Sequence, residues 1–138
     1  VGATLRVGGD VAAVKAQCSP AETDESGVTQ MDHRFVLDDD RGSPVAAAGY
    51  ETWDNAVAHL GLAVAVGHRS QGLGAMVASA AALDALDHGL VLQWRSSETN
   101  PASRRTGERL GFVALGTQIA IELTGIAPST EPAGPKAP

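Results

Sequence analysis

Aromatic side chains are scarce: Phe, Trp and Tyr make up 4% of the 138 residues. A core built without them falls to Ala, Val and Leu, and the 43% apolar content supplies these. There is one cysteine, Cys18, which excludes an internal disulfide and a cysteine-based zinc cage. Standing alone, it reads as a small packed side chain rather than a nucleophile. No metal is expected. Long hydrophobic runs are missing too; none approaches the roughly 20 residues of a membrane span. With no signal peptide visible, the chain reads as cytoplasmic. It begins with Val1 rather than Met, which reads as a trimmed chain or a piece of a longer one. Positive charge is in deficit, and the net charge of -6 excludes general nucleic-acid binding. The deficit is local. Residues 1–55 carry ten acidic and four basic residues, whereas residues 56–138 carry six of each. The back half suits an anion, and the front half suits a cationic partner.

Hydrophobic patterning then gives an order of elements. Residues 1–8 read as a short strand, and "DVAAVKAQC" as a helix capped by Asp10, with Val11, Val14 and Cys18 on one face. "SPAETDESG" reads as a short acidic helix stopped by Gly27. "HRFVLDD" and "PVAAAGYETW" are strands around a turn at "DDRGSP". "AVAHLGLAVAV" is apolar at both parities, as a strand covered on both faces would be, with His59 as an interruption. From Gly72 the period becomes helical, with Leu73, Met76, Val77, Ala80 and Leu83 as the inner stripe and His88-Gly89 as the stop. "LVLQW" is a strand. "NPASRRTGERLG" is a helix with Asn100 as cap and Pro101 in the first turn. Its expected inner stripe is Ala102, Thr106 and Leu110. "FVALGTQIAIEL" reads as further strand, and residues 125–138 as a disordered Pro- and Ala-rich tail.

Between the two-faced strand and the alanine-rich helix lies "VGHRSQGLGAMV". A buried strand that runs through glycines into a helix presents free backbone N–H groups, which suit a phosphate. No Gly-Lys-Ser/Thr is present, so a Walker loop is excluded. A dinucleotide fingerprint needs a third Gly or Ala where Val77 stands, and the glycines come late for it. The remaining reading is an acyl-CoA loop, Arg69-Ser70-Gln71-Gly72-Leu73-Gly74, with Asn100, Ser103 and Gly111-Phe112 following at a fixed distance.

Together, "VAHLGLAVAVGHRSQGLG" and "ETNPASRRTGERLGF" resemble the GNAT superfamily of acyl-CoA-dependent N-acetyltransferases, over roughly residues 30–124. The earlier "GDVAAVKAQCSPAETDESG" is similar to the helical segment of one actinobacterial-looking branch, in which the domain is C-terminal to a further region. The resemblance implies an α/β fold: a mixed, mostly antiparallel twisted sheet with a central parallel splayed strand pair and helices on both faces. It implies one domain over residues 1–124. Leu62, Ala63 and Val64 would present main chain to pantetheine, Arg69 to Gly74 would wrap the pyrophosphate, Asn100 would hydrogen-bond near the pantetheine or hold the splay between the two parallel strands, and Ser103 would meet the CoA arm. Arg104 and Arg105 could reach a further phosphate or simply form a wet helix face. The implied co-substrate is acetyl-CoA, the implied acceptor a small-molecule or peptide amine, and a homodimer is in keeping with the superfamily.

Two family groups are missing. The position that often carries a Tyr acid is Gly107, and the strand position that often carries a Glu base is Ala58. His59 and Glu51 (or Tyr50 beside it) are the substitutes the sequence offers. Two readings therefore stand: an N-acetyltransferase acting by direct attack in a ternary complex, and a non-catalytic acyl-CoA-binding sensor or scaffold.

Overall fold

The computed structural model describes residues 3–9, 11–18, 27–69, 71–119, 121 and 123. Five strands form one sheet in chain order: β1 (Thr4–Val7), β2 (His33–Asp38), β3 (Pro44–Trp53), β4 (Val57–Val64) and β5 (Val91–Trp94). Neighbours are antiparallel except β4 and β5, which run parallel. A parallel pair needs a crossover, and a helix provides it. That helix is α2 (Leu73–Asp87); the other α-helices among the described residues are α1 (Ala12–Lys15) and α3 (Pro101–Arg109).

Alternation along the strands sorts two cores. Phe35, Leu37, Ala46, Ala48, Tyr50, Ala58 and Leu60 face α2 and pack on Val77, Ala78, Ala81 and Ala85. Val36, Ala47 and Ala63 face the other way and pack on Val11, Val14, Val28 and Met31. The sheet is thus covered on both faces, and β4, which contributes to both cores, is apolar at both parities for that reason.

The expected stripe on α2 holds at Val77, with Leu73 and Ala80 packed against the core, and fails at Met76 and Leu83. Met76 and Leu83 point to solvent, and the alanines point inward. The helix is apolar nearly all round, so its periodicity has little contrast to read, and the small residues go where helix and sheet lie closest. In α3, Ala102 is exposed and Gly107 is buried, which also shifts the expected stripe. The segment read as a last strand forms none among its described residues. Asp10, the acidic "SPAETDES" stretch and the tail 125–138 lie outside the described residues.

Tyr50 does not face a cleft. It is buried in the core, and its hydroxyl donates to Asp84 Oδ2 at 2.6 Å while His33 stacks on its ring. Burial first, and then the Asp84 carboxylate, push the phenol above its usual value. That removes Tyr50 as an alternative to Glu51.

Strand β3 passes close to β2 at Gly49. A Cβ there would stand 2.4 Å from the His33 carbonyl oxygen, a backbone atom that cannot swing away. We expect Gly49→Ala to cost about 2 kcal/mol, seen as a lower urea midpoint with an unchanged m-value.

Candidate functional site

Strands β4 and β5 stay paired through Leu60 and Trp94 and then separate. Beyond that point the β5-facing edge of Gly61 to Val64 lines a cleft of about 400 Å³, with α3 as the opposite wall and the start of α2 as its end.

Each wall has a local cause. Asn100 Oδ1 accepts from the Ser103 backbone N–H at 3.1 Å, and Pro101 occupies the first turn, so α3 begins where the sequence says it should. Asn100 is therefore a helix cap that also borders the cleft. The Trp94 indole leans on α3, and its Nε1 donates to the Ser103 carbonyl at 3.1 Å. At the end wall, Gly72 takes φ +78°, a left-handed conformation that suits glycine, and no side chain caps the helix behind it. The first hydrogen bond of α2 runs from Met76 N–H to the Gly72 carbonyl. The N–H groups of Leu73, Gly74 and Ala75 precede it, and these three residues line the cleft.

Charge is concentrated here. Arg69, Arg95, Arg105 and Arg109 line the cleft with His68, and no Asp or Glu is among the lining residues. In a chain of net charge -6, that is a local reversal of sign. Arg104, by contrast, pairs with Glu108 at 3.1 Å on the exposed side of α3. The two adjacent arginines thus divide: Arg104 is the wet face, and Arg105 faces the cleft.

Of the residues expected at a coenzyme site, Leu62, Ala63, Val64, Arg69, Gly72, Leu73, Gly74, Asn100 and Ser103 line this one cleft. Gln71 is exposed and is not part of the lining. Ser70 lies outside the described residues. The Val64 carbonyl is approached by Arg69 Nε and by Cys18 Sγ, each at 3.4 Å. Sequence reasoning missed Cys18 and Arg109 as wall residues. For Arg109 the signal existed, since it lies one helical turn after Arg105.

His59 and Glu51 are not in the lining. They stand opposite each other across β3 and β4, on the α1 side of the sheet. His59 stacks on Trp53 with ring centroids 4.8 Å apart, and the Arg95 guanidinium lies 5.9 Å from the Trp53 centroid. Arg95 therefore borders both the cleft and this aromatic pair. His59 Nδ1 is buried without a hydrogen-bond partner, as is Oε1 of Gln93, its neighbour on β5. Burial holds the His59 imidazole below its usual value, Arg95 adds to the effect, and Glu51 works against it.

Residues 12–112 match the acetyltransferase (GNAT) family. The chain belongs to that family. No curated protein matches it. Among solved structures, it is 23% identical to one provisionally described as a phosphinothricin N-acetyltransferase, with a TM-score of 0.64, covering 83% of this chain and 85% of that one. The aminoglycoside N-acetyltransferase AAC(6')-Iy in complex with CoA gives a TM-score of 0.64 at 17% identity, covering 90% and 97%. An aminoglycoside 6'-N-acetyltransferase from Acinetobacter baumannii gives 0.62 at 14%, covering 89% and 99%. At these identities the likeness is one of fold. Among the described residues, no helix is long and apolar enough to cross a membrane. No group of three or more His, Cys, Asp or Glu among them is arranged to hold a metal.

The missing Tyr of the family pattern has a structural cause. A Cβ on Gly107 would lie 2.6 Å from Trp94 Cδ1 and 2.9 Å from Nε1, so the indole occupies the space a side chain would need. Gly107→Ala gains about 1 kcal/mol of helix propensity and loses more to the clash. We expect a net loss of about 1 kcal/mol and an altered Trp94 emission in a Trp53→Phe background. An unchanged spectrum would show that the ring does not rest on Gly107.

Proposed function

We propose that the cleft binds an acyl-CoA and that the domain transfers its acetyl group to a primary amine. The observation that carries the reading is the sign and placement of charge: four arginines and the uncapped start of a 15-residue helix converge on one cleft free of carboxylates. Backbone N–H groups at a helix start and guanidinium groups are the donors that phosphates fit. Leu73, Gly74 and Ala75 would hold the diphosphate through their N–H groups, and Arg69 would stand beside it. Arg105 and Arg109 are placed for a further phosphate. The exposed main-chain edge from Gly61 to Val64 would pair with the amide-bearing arm. When bound, acetyl-CoA supplies an activated thioester.

The chain's own residues then have three tasks. They must place the acyl carbonyl, bring a neutral amine, and accept the proton that the amine sheds as its nitrogen bonds to carbon. The unpaired main chain at the splay offers N–H groups for the first. The acidic front half favours a cationic acceptor for the second. His59 is the candidate for the third. Its low pKa keeps the ring neutral at pH 7, so a lone pair is available. Nδ1 is buried without a partner, and the Glu51 carboxylate favours a positive charge on the ring. Glu51 acts by compensating that charge rather than by contact.

The second reading is a non-catalytic acyl-CoA binder, and one observation favours it. The Trp94 indole occupies the space that a side chain at position 107 would need, so no side-chain acid stands there. Free-thiol release with a panel of polyamines, aminoglycosides and lysine peptides separates the two: turnover supports the transferase, and calorimetric CoA binding without turnover supports the binder. Under either reading Gly72→Val forces a branched residue to φ +78° and should weaken CoA binding by at least about 10-fold. Unchanged affinity would remove the loop from the site.

The His59 assignment makes a separate prediction. A base loses activity when it is protonated, so kcat/KM should fall on acidification. Because His59 titrates below the ordinary imidazole value, that fall should be centred below about pH 6.5. In His59→Gln the acid limb should vanish and kcat drop by about 100-fold. A profile that keeps its limb would assign the proton elsewhere.

A further inference from the structure

Of the four cleft arginines, Arg95 stands apart. Arg105 and Arg109 lie together on α3 and Arg69 beside the start of α2, whereas Arg95 follows the last residue of β5. It belongs to two surfaces at once. It lines the cleft, and its guanidinium also lies over the Trp53 ring, 5.9 Å from the centroid, where Trp53 in turn stacks on His59. Arg6 and Arg104 are paired with Asp38 and Glu108. Arg95 is exposed and makes no ion pair or hydrogen bond among the described residues. Stacking on an indole occupies only the face of a guanidinium. The N–H donors lie in its plane and stay available to a planar acceptor with two oxygens. A carboxylate is such an acceptor, and the forked pair of bonds it makes with arginine is among the strong ones.

The opposite charge stands on the other side of His59. Glu51 faces His59 across β3 and β4 and is exposed. Arg95 and Glu51 are the two charged groups that act on the imidazole, the first disfavouring and the second favouring its positive form. Gln93, the register partner of His59 on β5, adds no charge. The candidate base is therefore flanked by one carboxylate and one guanidinium. An acceptor with several ammonium groups would want carboxylates on both sides. Glu51 suits an ammonium, as the acidic front half does in general, and Arg95 suits a negative group close beside it.

We infer that the amine acceptor is an amino acid, with its carboxylate held by Arg95 and its nitrogen placed between Glu51 and His59. The inference rests on the transferase reading and narrows its substrate. Both charges flank one ring, so the groups they meet lie close together on the acceptor, as they do in an α-amino acid. The α-ammonium gives up one proton to become nucleophilic. Its nitrogen then bonds to the acetyl carbon as the carbon–sulfur bond breaks, and a second proton passes to His59. The sulfur leaves with the bonding pair and takes up one proton, and the other goes to water. The products are an N-acetylamino acid, its carboxylate still on Arg95, and free CoA. A carboxylate on Arg95 also offsets the charge that disfavours the imidazolium, so the acceptor assists its own deprotonation.

The test pairs each L-amino acid of a panel with its carboxamide, which keeps the amine and loses the negative charge. With acetyl-CoA, free-thiol release should give the best acids a kcat/KM at least about 10-fold above their amides, and above spermidine and kanamycin. Arg95→Gln should lower kcat/KM for those acids by at least about 10-fold, with the amides and the KM for acetyl-CoA unchanged. Arg95→Lys should restore part of the loss, as a point charge without the fork. Calorimetry on the CoA-loaded protein gives a second readout that needs no turnover: the acids should bind and their amides should bind more weakly. Amides as good as acids, a preference for spermidine or kanamycin, or an Arg95→Gln loss shared equally by acids and amides would overturn the amino-acid assignment and leave the transferase reading standing. CoA binding with neither turnover nor binding of any amino acid would also overturn it. A protein that binds no CoA would overturn both.

Discussion

The Trp94 indole rests on the bare α-carbon of Gly107, and the cleft takes its shape from that contact. Trp94 is the last residue of β5 to pair with β4. Its ring sets how near α3 can come, and the bond from Nε1 to the Ser103 carbonyl sets the ring's orientation. Both ends of the interaction belong to cleft walls, so strand separation and helix placement are one event rather than two. A glycine at 107 is required by this packing, and the same glycine rules out a side-chain acid at that point of the helix. The packing of the ring and the absence of a side chain at 107 have one cause.

Placement of α3 in turn decides the electrostatics. Arg105 and Arg109 lie one turn apart and face the cleft, whereas Arg104 and Glu108 pair away from it. Net charge therefore says little about the site. The whole chain is acidic, but the field that a ligand meets is set by groups within about one Debye length, ~8 Å at physiological salt. Arg95 extends that field to the other side of the sheet, where it lies over Trp53 and disfavours a second positive charge on His59. One guanidinium thus borders both the cleft and the His59 side of the sheet.

How much of this was legible in the sequence depends on how local each signal is. Asn100-Pro101 was readable because a cap and a first-turn proline act within four residues, and the bond to Ser103 N–H is that local. The strand pair from Pro44 to Val64 was readable because β4 is apolar at both parities. The inner face of α2 was not, because a helix apolar on every side does not reveal which side is buried; Met76 and Leu83 were misplaced for that reason. The fit of Trp94 to Gly107 is a contact between a strand and a helix, and neither residue announces the other. The segment after Phe112 reads as a strand by alternation, but a strand is a relation between two segments, and alternation alone does not supply the second; its described residues form none.

The glycine loop shows two uses of one residue type at the same site. Gly72 is needed for its backbone: φ is +78°, and a Cβ there would meet open space. Gly74 is needed for its size: a Cβ would press to 3.2 Å from both Leu62 Cδ2 and Val64 Cγ2. The first lets the chain turn from strand into helix without a side-chain cap, which leaves N–H groups free to face an anion. The second lets the start of α2 lie close against β4, so that those N–H groups and the open strand edge border one space. The inward alanines of α2 do the same farther along, at Ala78, Ala81 and Ala85. A larger residue at 74 would lift the helix start from the strand and separate two donor sets that now border one cleft. The spacing between the two glycines follows from a turn and an approach that happen two residues apart.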